Sequence, residues 1–132
     1  MDIQVKLLDV QITETVFKVK TYDKSVTNEL ETQLSVNTGF NDDKNTFAIF
    51  FKIVLENKTK NFYLKLEACA HFETNVEIDD EFQKSPFIKV NAPAIAFPYV
   101  RTFISNFTLN SGFDPIILPS YNFVKLAQEQ NA

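Results

Sequence analysis

The sequence predicts an α+β fold: a four-stranded antiparallel sheet followed by a long and a short C-terminal helix. Three observations carry this. Apolar residues alternate with period two through the first two-thirds of the chain, the spacing changes to three and four after Ala92, and polar turn-forming clusters separate the runs. With 132 residues, 45% of them hydrophobic, the chain reads as one domain over residues 1–132. That is large enough to bury a core without a disulfide or a metal.

Ile3, Val5 and Leu7 share one face of the first strand. The pattern breaks near Asp9 and resumes through Ile12 to Phe17 and Val19, which predicts a bulge or bend. The second strand sets Leu30, Thr32, Leu34, Val36 and Thr38 against Glu29, Glu31, Gln33, Ser35 and Asn37, so one face is wet. Gly39 to Asn45 is a turn-forming stretch and predicts a hairpin. In the third strand Phe47, Ile49, Phe51, Ile53 and Leu55 alternate with Ala48, Phe50, Lys52, Val54 and Glu56. Both faces are largely apolar, which predicts a central strand covered on both sides.

After a turn at residues 57–60, Phe62, Leu64, Leu66, Ala68, Ala70 and Phe72 face one way in the fourth strand, opposite Tyr63, Lys65, Glu67, Cys69 and His71. The simplest arrangement is four antiparallel strands in sequence order. The acidic stretch Val76 to Lys84 reads as a solvated linker. From Ala92 to Leu109 the spacing of Ile95, Tyr99, Val100, Phe103, Ile104 and Phe107 is helical. Pro93 lies in its first turn, Pro98 predicts a kink, and Asn110-Ser111-Gly112 is a stop. A shorter helix is expected from about Ser120 through Phe123, Val124 and Ala127.

Composition excludes several functions. With 13 basic and 17 acidic residues the net charge is −4, so nucleic acid and anionic membrane surfaces are not expected partners. The first residues alternate polar and apolar, so no signal peptide is read there. No apolar run approaches the ~20 residues of a membrane span, and the cytoplasm is the expected location. A single cysteine, Cys69, favours a reducing compartment.

Gly39 and Gly112 are too far apart for a dinucleotide fingerprint or a phosphate loop, and no metalloprotease or nucleophile-elbow motif occurs. His71 shares a strand face with Glu67, Cys69 and Glu73, which raises metal binding and thiol catalysis. Residues two apart on a strand have backbones about 6.5–7 Å apart, so a direct thiol–imidazole bond would require unusual rotamers. One strand also supplies too few ligands for a metal. Catalytic residues, metals and cofactors are therefore not expected. The 14 Phe and 4 Tyr are either packing residues or an exposed apolar binding surface.

One segment carries a resemblance. Ala96-Phe97-Pro98-Tyr99-Val100-Arg101, then Gly112, then Pro115-Ile116-Ile117-Leu118-Pro119-Ser120-Tyr121-Asn122-Phe123 is similar, in order and spacing, to the hallmark of the SecB family of export chaperones. The resemblance implies an ATP-independent holdase, a homotetramer built as a dimer of dimers, whose grooves keep unfolded polypeptides competent for export. By analogy the client-binding candidates are Phe17 and Tyr22 in the crossover and Ile117, Tyr121 and Phe123 near the second helix. Ile95, Tyr99, Phe103 and Phe107 are the candidates for subunit contacts.

A SecA-type motor is an implied partner, docking on Asp9, Glu14, Glu29, Glu31 and Glu67. Lys65 stands where the family places an acidic contact for that motor. Other readings are a SecB-like chaperone with one dedicated client such as an antitoxin, a non-chaperone assembly subunit without an apolar groove, and a small acidic enzyme identified by turnover.

Overall fold

The computed structural model describes residues 2–130. Strands β1 (Val5–Val19), β2 (Glu31–Phe40), β3 (Thr46–Glu56) and β4 (Phe62–Thr74) precede helices α1 (Asp80–Gln83), α2 (Ala92–Asn110) and α3 (Phe123–Gln130). The pairing is antiparallel throughout, but the spatial order is β1-β4-β3-β2 and not the sequence order. Between β1 and β2 the chain crosses to the far edge through a 3₁₀ segment at Lys24–Glu29. Asp23 caps this segment by accepting from the Ser25 N–H at 2.9 Å, which leaves β1 free to pair with β4.

The break read near Asp9 is real and double. The β1–β4 register shifts between Leu7 and Asp9 and again between Ile12 and Glu14, so Leu8 and Thr13 are bulged out. The β2–β3 connection is shorter than expected, because Gly39 lies inside β2 opposite Ala48. The turn itself is a pair of Asx turns: Asn41 accepts from the Asp43 N–H and Asp43 from the Asn45 N–H, both at 3.0 Å. At the β3–β4 turn the Asn57 side chain accepts from the N–H groups of Asn61 and Phe62, and Lys60 takes φ 59°.

The stretch expected to be a solvated linker is tied down. Asp79 caps α1 by accepting from the Phe82 N–H at 2.8 Å, and Ile78 and Phe82 are buried, with Phe82 stacked on Phe87. The acidic residues concealed these two anchors. The helical run also begins earlier than expected, with a π-helical turn at Phe87–Asn91 leading into α2. Pro93 therefore falls inside a continuous helical run. The wider turn before it, in which Ala92 N–H reaches the Phe87 carbonyl, accommodates a residue that has no N–H to give. Helix α2 continues through Pro98; Ala94 and Pro98 both lie on its exposed side, where water can satisfy the carbonyl that Pro98 leaves unbonded.

Gly112 at φ 96° ends α2, with its N–H donating to the Leu109 carbonyl and that of Phe113 to Thr108. Helix α3 starts at Phe123, later than expected, because Asn122 caps it by accepting from the Lys125 N–H at 3.1 Å.

The core lies between one sheet face and α2. Phe47, Ile49, Phe51, Ile53 and Leu55 of β3 and the even-numbered residues Phe62 to Phe72 of β4 meet Ala92, Ala96, Phe97, Val100 and Ile104. Every α-helix packs on this side, so β3 is covered on one face and open on the other, where Phe50 is exposed and Ala48 and Val54 are half-buried. The phenylalanine surplus is mostly packing: of 14 Phe, only Phe40 and Phe50 are exposed, and both lie on the sheet.

Candidate functional site

Three surfaces gather the residues singled out above. The first lies where the crossover meets the segment after α2. Thr27 donates to the Asp114 carbonyl at 2.8 Å, and the Asp114 N–H to the Lys24 carbonyl at 3.0 Å. Two α2 side chains hold the next residue: the Ile116 N–H donates to Thr108 Oγ1 at 3.0 Å, while the Ser105 hydroxyl donates to the Ile116 carbonyl. A cleft of about 330 Å³ opens between the two segments, lined by Leu30, Leu55, Pro115, Ile117 and Pro119 among others.

Ile117 is 82% exposed at this cleft, and Tyr22, just before the crossover turn, is fully exposed. The other three client candidates sit elsewhere. Phe17 is half-buried at the end of β1, edge-on to Phe62, Phe107 and Phe113. Tyr121 and Phe123 pack edge-on against Phe97, which in turn touches Phe51 of β3. Burial holds the Tyr121 phenol above its ordinary value of 10.0. Arg101 donates to the Ser120 hydroxyl at 3.3 Å and so ties α2 to the segment entering α3.

The second surface is the outward stripe of α2 beside the edge strand β1. Ile95 and Tyr99 are exposed and Phe103 is half-buried, while Phe107 turns back to Phe17 at 5.0 Å between ring centroids. Tyr99 and Phe103 line a groove of about 480 Å³ with Leu7, Leu8, Val10 and Ile12. The first bulge pushes Leu8 out, so the edge and the helix form one continuous apolar surface.

The third surface is the open face of the sheet. Asp9 pairs with His71 at 2.6 Å and Glu14 with Lys65 at 2.7 Å, so two of the five carboxylates proposed from sequence already have side-chain partners on β4. The hydrogen bond that Lys65 donates to Glu14 holds its ammonium above the ordinary value of 10.5. Glu67 lies opposite Lys52 and Glu14 in the register, and Glu31 is exposed at the start of β2. Glu29 is not on a strand at all: it ends the 3₁₀ segment, because the crossover consumes the residues that alternation assigned to β2.

The ring of Phe50 lies over Gly39, where an added Cβ would come within 2.6 Å of it. That contact explains the strand glycine, which the sequence presented as a turn residue. The open face also corrects one geometric expectation, since Cys69 Sγ and His71 Nε2 approach to 3.6 Å despite sitting two residues apart. Asp9, from the neighbouring strand, joins them through His71. Among the described residues no group of three or more His, Cys, Asp or Glu is arranged to hold a metal, and no helix is long and apolar enough to cross a membrane. Sequence reasoning missed Ser105, Thr108 and the Asp9–His71 pairing. Two hydroxyls on an otherwise apolar helix were the available signal for the first two.

Comparison with known proteins fits this architecture. Residues 2–132 match the family described as Preprotein translocase subunit SecB. A protein-export protein SecB of Jannaschia sp. is 29% identical over 111 residues, covering 79% of this chain and 64% of that protein. One of Ruegeria sp. is 26% identical over 139 residues, covering 98% of this chain and 84% of its own length. The fold is similar to that of a SecB-like chaperone of Mycobacterium tuberculosis solved with a ChAD peptide from the HigA1 antitoxin. The TM-score is 0.71 at 13% identity, covering 87% of this chain and 86% of that one.

Proposed function

Because the chain belongs to the SecB family, we propose that it is a holdase that binds non-native polypeptides without ATP and keeps them competent for export. The observation that carries this is the family match over residues 2–132. A holdase binds only the unfolded state, and mass action then holds the client from collapse or aggregation. The cleft beside Ile117 supplies side chains suited to that task. Leu30, Pro115, Ile117 and Pro119 offer apolar contact that demands no fixed client sequence, beside the polar side chains of Asn28 and Thr32. Tyr22 and Ile117 touch the client, whereas Phe17, Tyr121 and Phe123 pack among other aromatic rings away from this cleft.

The assembly is a homotetramer in the cytoplasm, with Ile95, Tyr99, Phe103 and Phe107 at or beneath the subunit contacts. The apolar groove between α2 and β1 supports this, being a surface that a lone protomer leaves in water. A SecA-type motor segment, if basic, docks on Glu31, Glu67 and Glu29 more than on Asp9 and Glu14, whose charge His71 and Lys65 already engage. A dedicated antitoxin client is the second reading, favoured by the fold likeness to the mycobacterial chaperone solved with an antitoxin peptide.

The test uses two exposed positions, so that folding is spared. Tyr22→Ser with Ile117→Ser should weaken binding of a fluorescent unfolded polypeptide by at least about fivefold, roughly 1 kcal/mol. Light scattering should read four times the 15.2 kDa chain mass for both proteins. Unchanged affinity in an intact tetramer would remove the cleft from the client site.

A further inference from the structure

The open sheet face carries a three-residue relay that the chaperone reading does not use. Cys69 and His71 lie on the open face of β4, Cys69 buried at 7% exposure and His71 half-buried, and Asp9 of β1 is the register partner of His71. Asp9 Oδ1 lies 2.6 Å from His71 Nδ1, and His71 Nε2 lies 3.6 Å from Cys69 Sγ. An ionised carboxylate can only accept a hydrogen bond, so the imidazole proton sits on Nδ1. The Nε2 lone pair is then left facing the thiol. These are the positions of a nucleophile, its base and the group that orients the base. A cleft of about 520 Å³, lined by Leu8, Phe40 and Phe50 together with Asp9 and His71 but not by Cys69 itself, gives small apolar molecules a place against the imidazole.

We propose that Cys69 is a base-assisted reactive thiol and that hydroperoxides are the class of reagent that modifies it. In the step, Cys69 sulfur attacks the terminal peroxide oxygen while His71 Nε2 takes the thiol proton. An S–O bond forms and the O–O bond breaks. The departing alkoxide or hydroxide recovers the proton from His71 and leaves as an alcohol or water. The sulfur is oxidised by two electrons to a sulfenic acid, and the peroxide is reduced. Asp9 is a positioning residue, fixing the tautomer through Nδ1.

Burial, with a smaller contribution from Asp9, pushes the Cys69 thiol up, so the resting group is the thiol and proton removal must accompany attack. The charged groups nearest the relay on the packed strands are Glu67 with Lys52 and Glu14, and Glu73 with Lys6. As Cys69 is the only cysteine, no second thiol of the same chain can trap the product.

The test treats the full-length native protein with hydrogen peroxide, traps sulfenic acid with dimedone and reads intact mass from pH 5.5 to 8.5. His71→Gln should slow the reaction at pH 7 by about tenfold or more, the low end of what a positioned base contributes. The His71→Gln rate should climb steeply toward alkaline pH, where solvent base takes over proton removal, whereas the wild-type rate should depend less on pH above neutrality. Asp9→Asn should slow the reaction about threefold or more and steepen its pH dependence toward that of His71→Gln, since the imidazole loses the group that orients it. This half-exposed substitution carries the same readout if His71→Gln does not fold.

A His71→Gln rate within twofold of wild type, an Asp9→Asn profile identical to wild type, or a native thiol slower than one-tenth of the urea-unfolded thiol would each overturn the proposal.

Discussion

Thr108→Val is the sharpest probe of how α2 holds the segment that presents Ile117. The Thr108 side chain is fully buried, its hydroxyl donates to the Ile104 carbonyl at 2.9 Å, and its oxygen accepts from the Ile116 N–H at 3.0 Å. Valine is nearly isosteric and has similar helix propensity, so the substitution makes no cavity and costs the helix little. It does leave the Ile116 N–H buried without an acceptor, at a cost of ~1–3 kcal/mol. Exchanging a buried hydroxyl for a methyl returns under about 1 kcal/mol. The net expectation is a loss of ~1–2 kcal/mol.

Urea denaturation at one fixed protein concentration reads the stability, since the proposed assembly would make the midpoint concentration-dependent. Hydrogen exchange reads the Ile116 amide directly. Thr108→Ser is the companion: it keeps the acceptor and loses only a methyl, so Ile116 should stay protected. A Thr108→Val protein as stable as wild type, or one in which the Ile116 amide is still protected, would refute the assignment of this bond as the anchor.

Three further outcomes are expected. Phe97→Ala should cost ~3–5 kcal/mol, because a buried ring linking Phe51 to Tyr121 and Phe123 is removed; limited proteolysis should then cut before α3, and a resistant C-terminal segment would count against that linkage. The Asp23 carboxyl is held below its ordinary value of 3.8 by its bonds from Ser25, so its contribution is complete above pH 3.8 and disappears as pH falls through the lowered value. Amide exchange at Lys24–Glu29 should quicken there, and unchanged exchange would show that the cap is not what holds the segment. Lys65→Glu should release Glu14 and tighten binding of a basic peptide to the open face, an effect that fades with added salt; calorimetry showing equal or weaker binding at low salt would exclude that face as the docking surface.

Alternation located four strands because one face of each packs toward the core, half-buried along most of β1 and β2 and fully buried in β3 and β4, and a slip by one residue would expose the whole set. The same signal could not order them. β1 and β2 are both edge strands, and what separates them is a crossover whose path depends on Asp23, Thr27 and their contacts to a segment 87 residues away. Alternation also overran its boundary at Glu29, since a 3₁₀ turn ending on a charged residue looks like one more step of a strand. In Val76–Lys84 the two buried apolar side chains, Ile78 and Phe82, were too few to stand out among carboxylates, although a short helix needs only those two to dock. Gly39 was taken for a turn because the ring above it comes from Phe50, a contact set by pairing and invisible to local reading. The Asp9–His71 approach has the same origin, with the two residues 62 positions apart.

The helix shows most clearly what periodicity leaves undecided. Two stripes run along α2, Ile95–Tyr99–Phe103 and Ala92–Ala96–Val100–Ile104, and by size alone the first is the stronger candidate for the core. The structure buries the second. Close packing explains the choice. The inner sheet face is already filled by Phe47, Phe51, Phe62 and Phe72, so the opposing helix meets it through alanines and branched aliphatic side chains, with Phe97 as the one large ring admitted. Large residues on a helix facing an aromatic sheet are therefore displaced to its outer side, beside the bulged Leu8. An apolar stripe displaced in this way needs a surface of its own to meet, and the groove it forms with the β1 edge is where a second protomer would bury it.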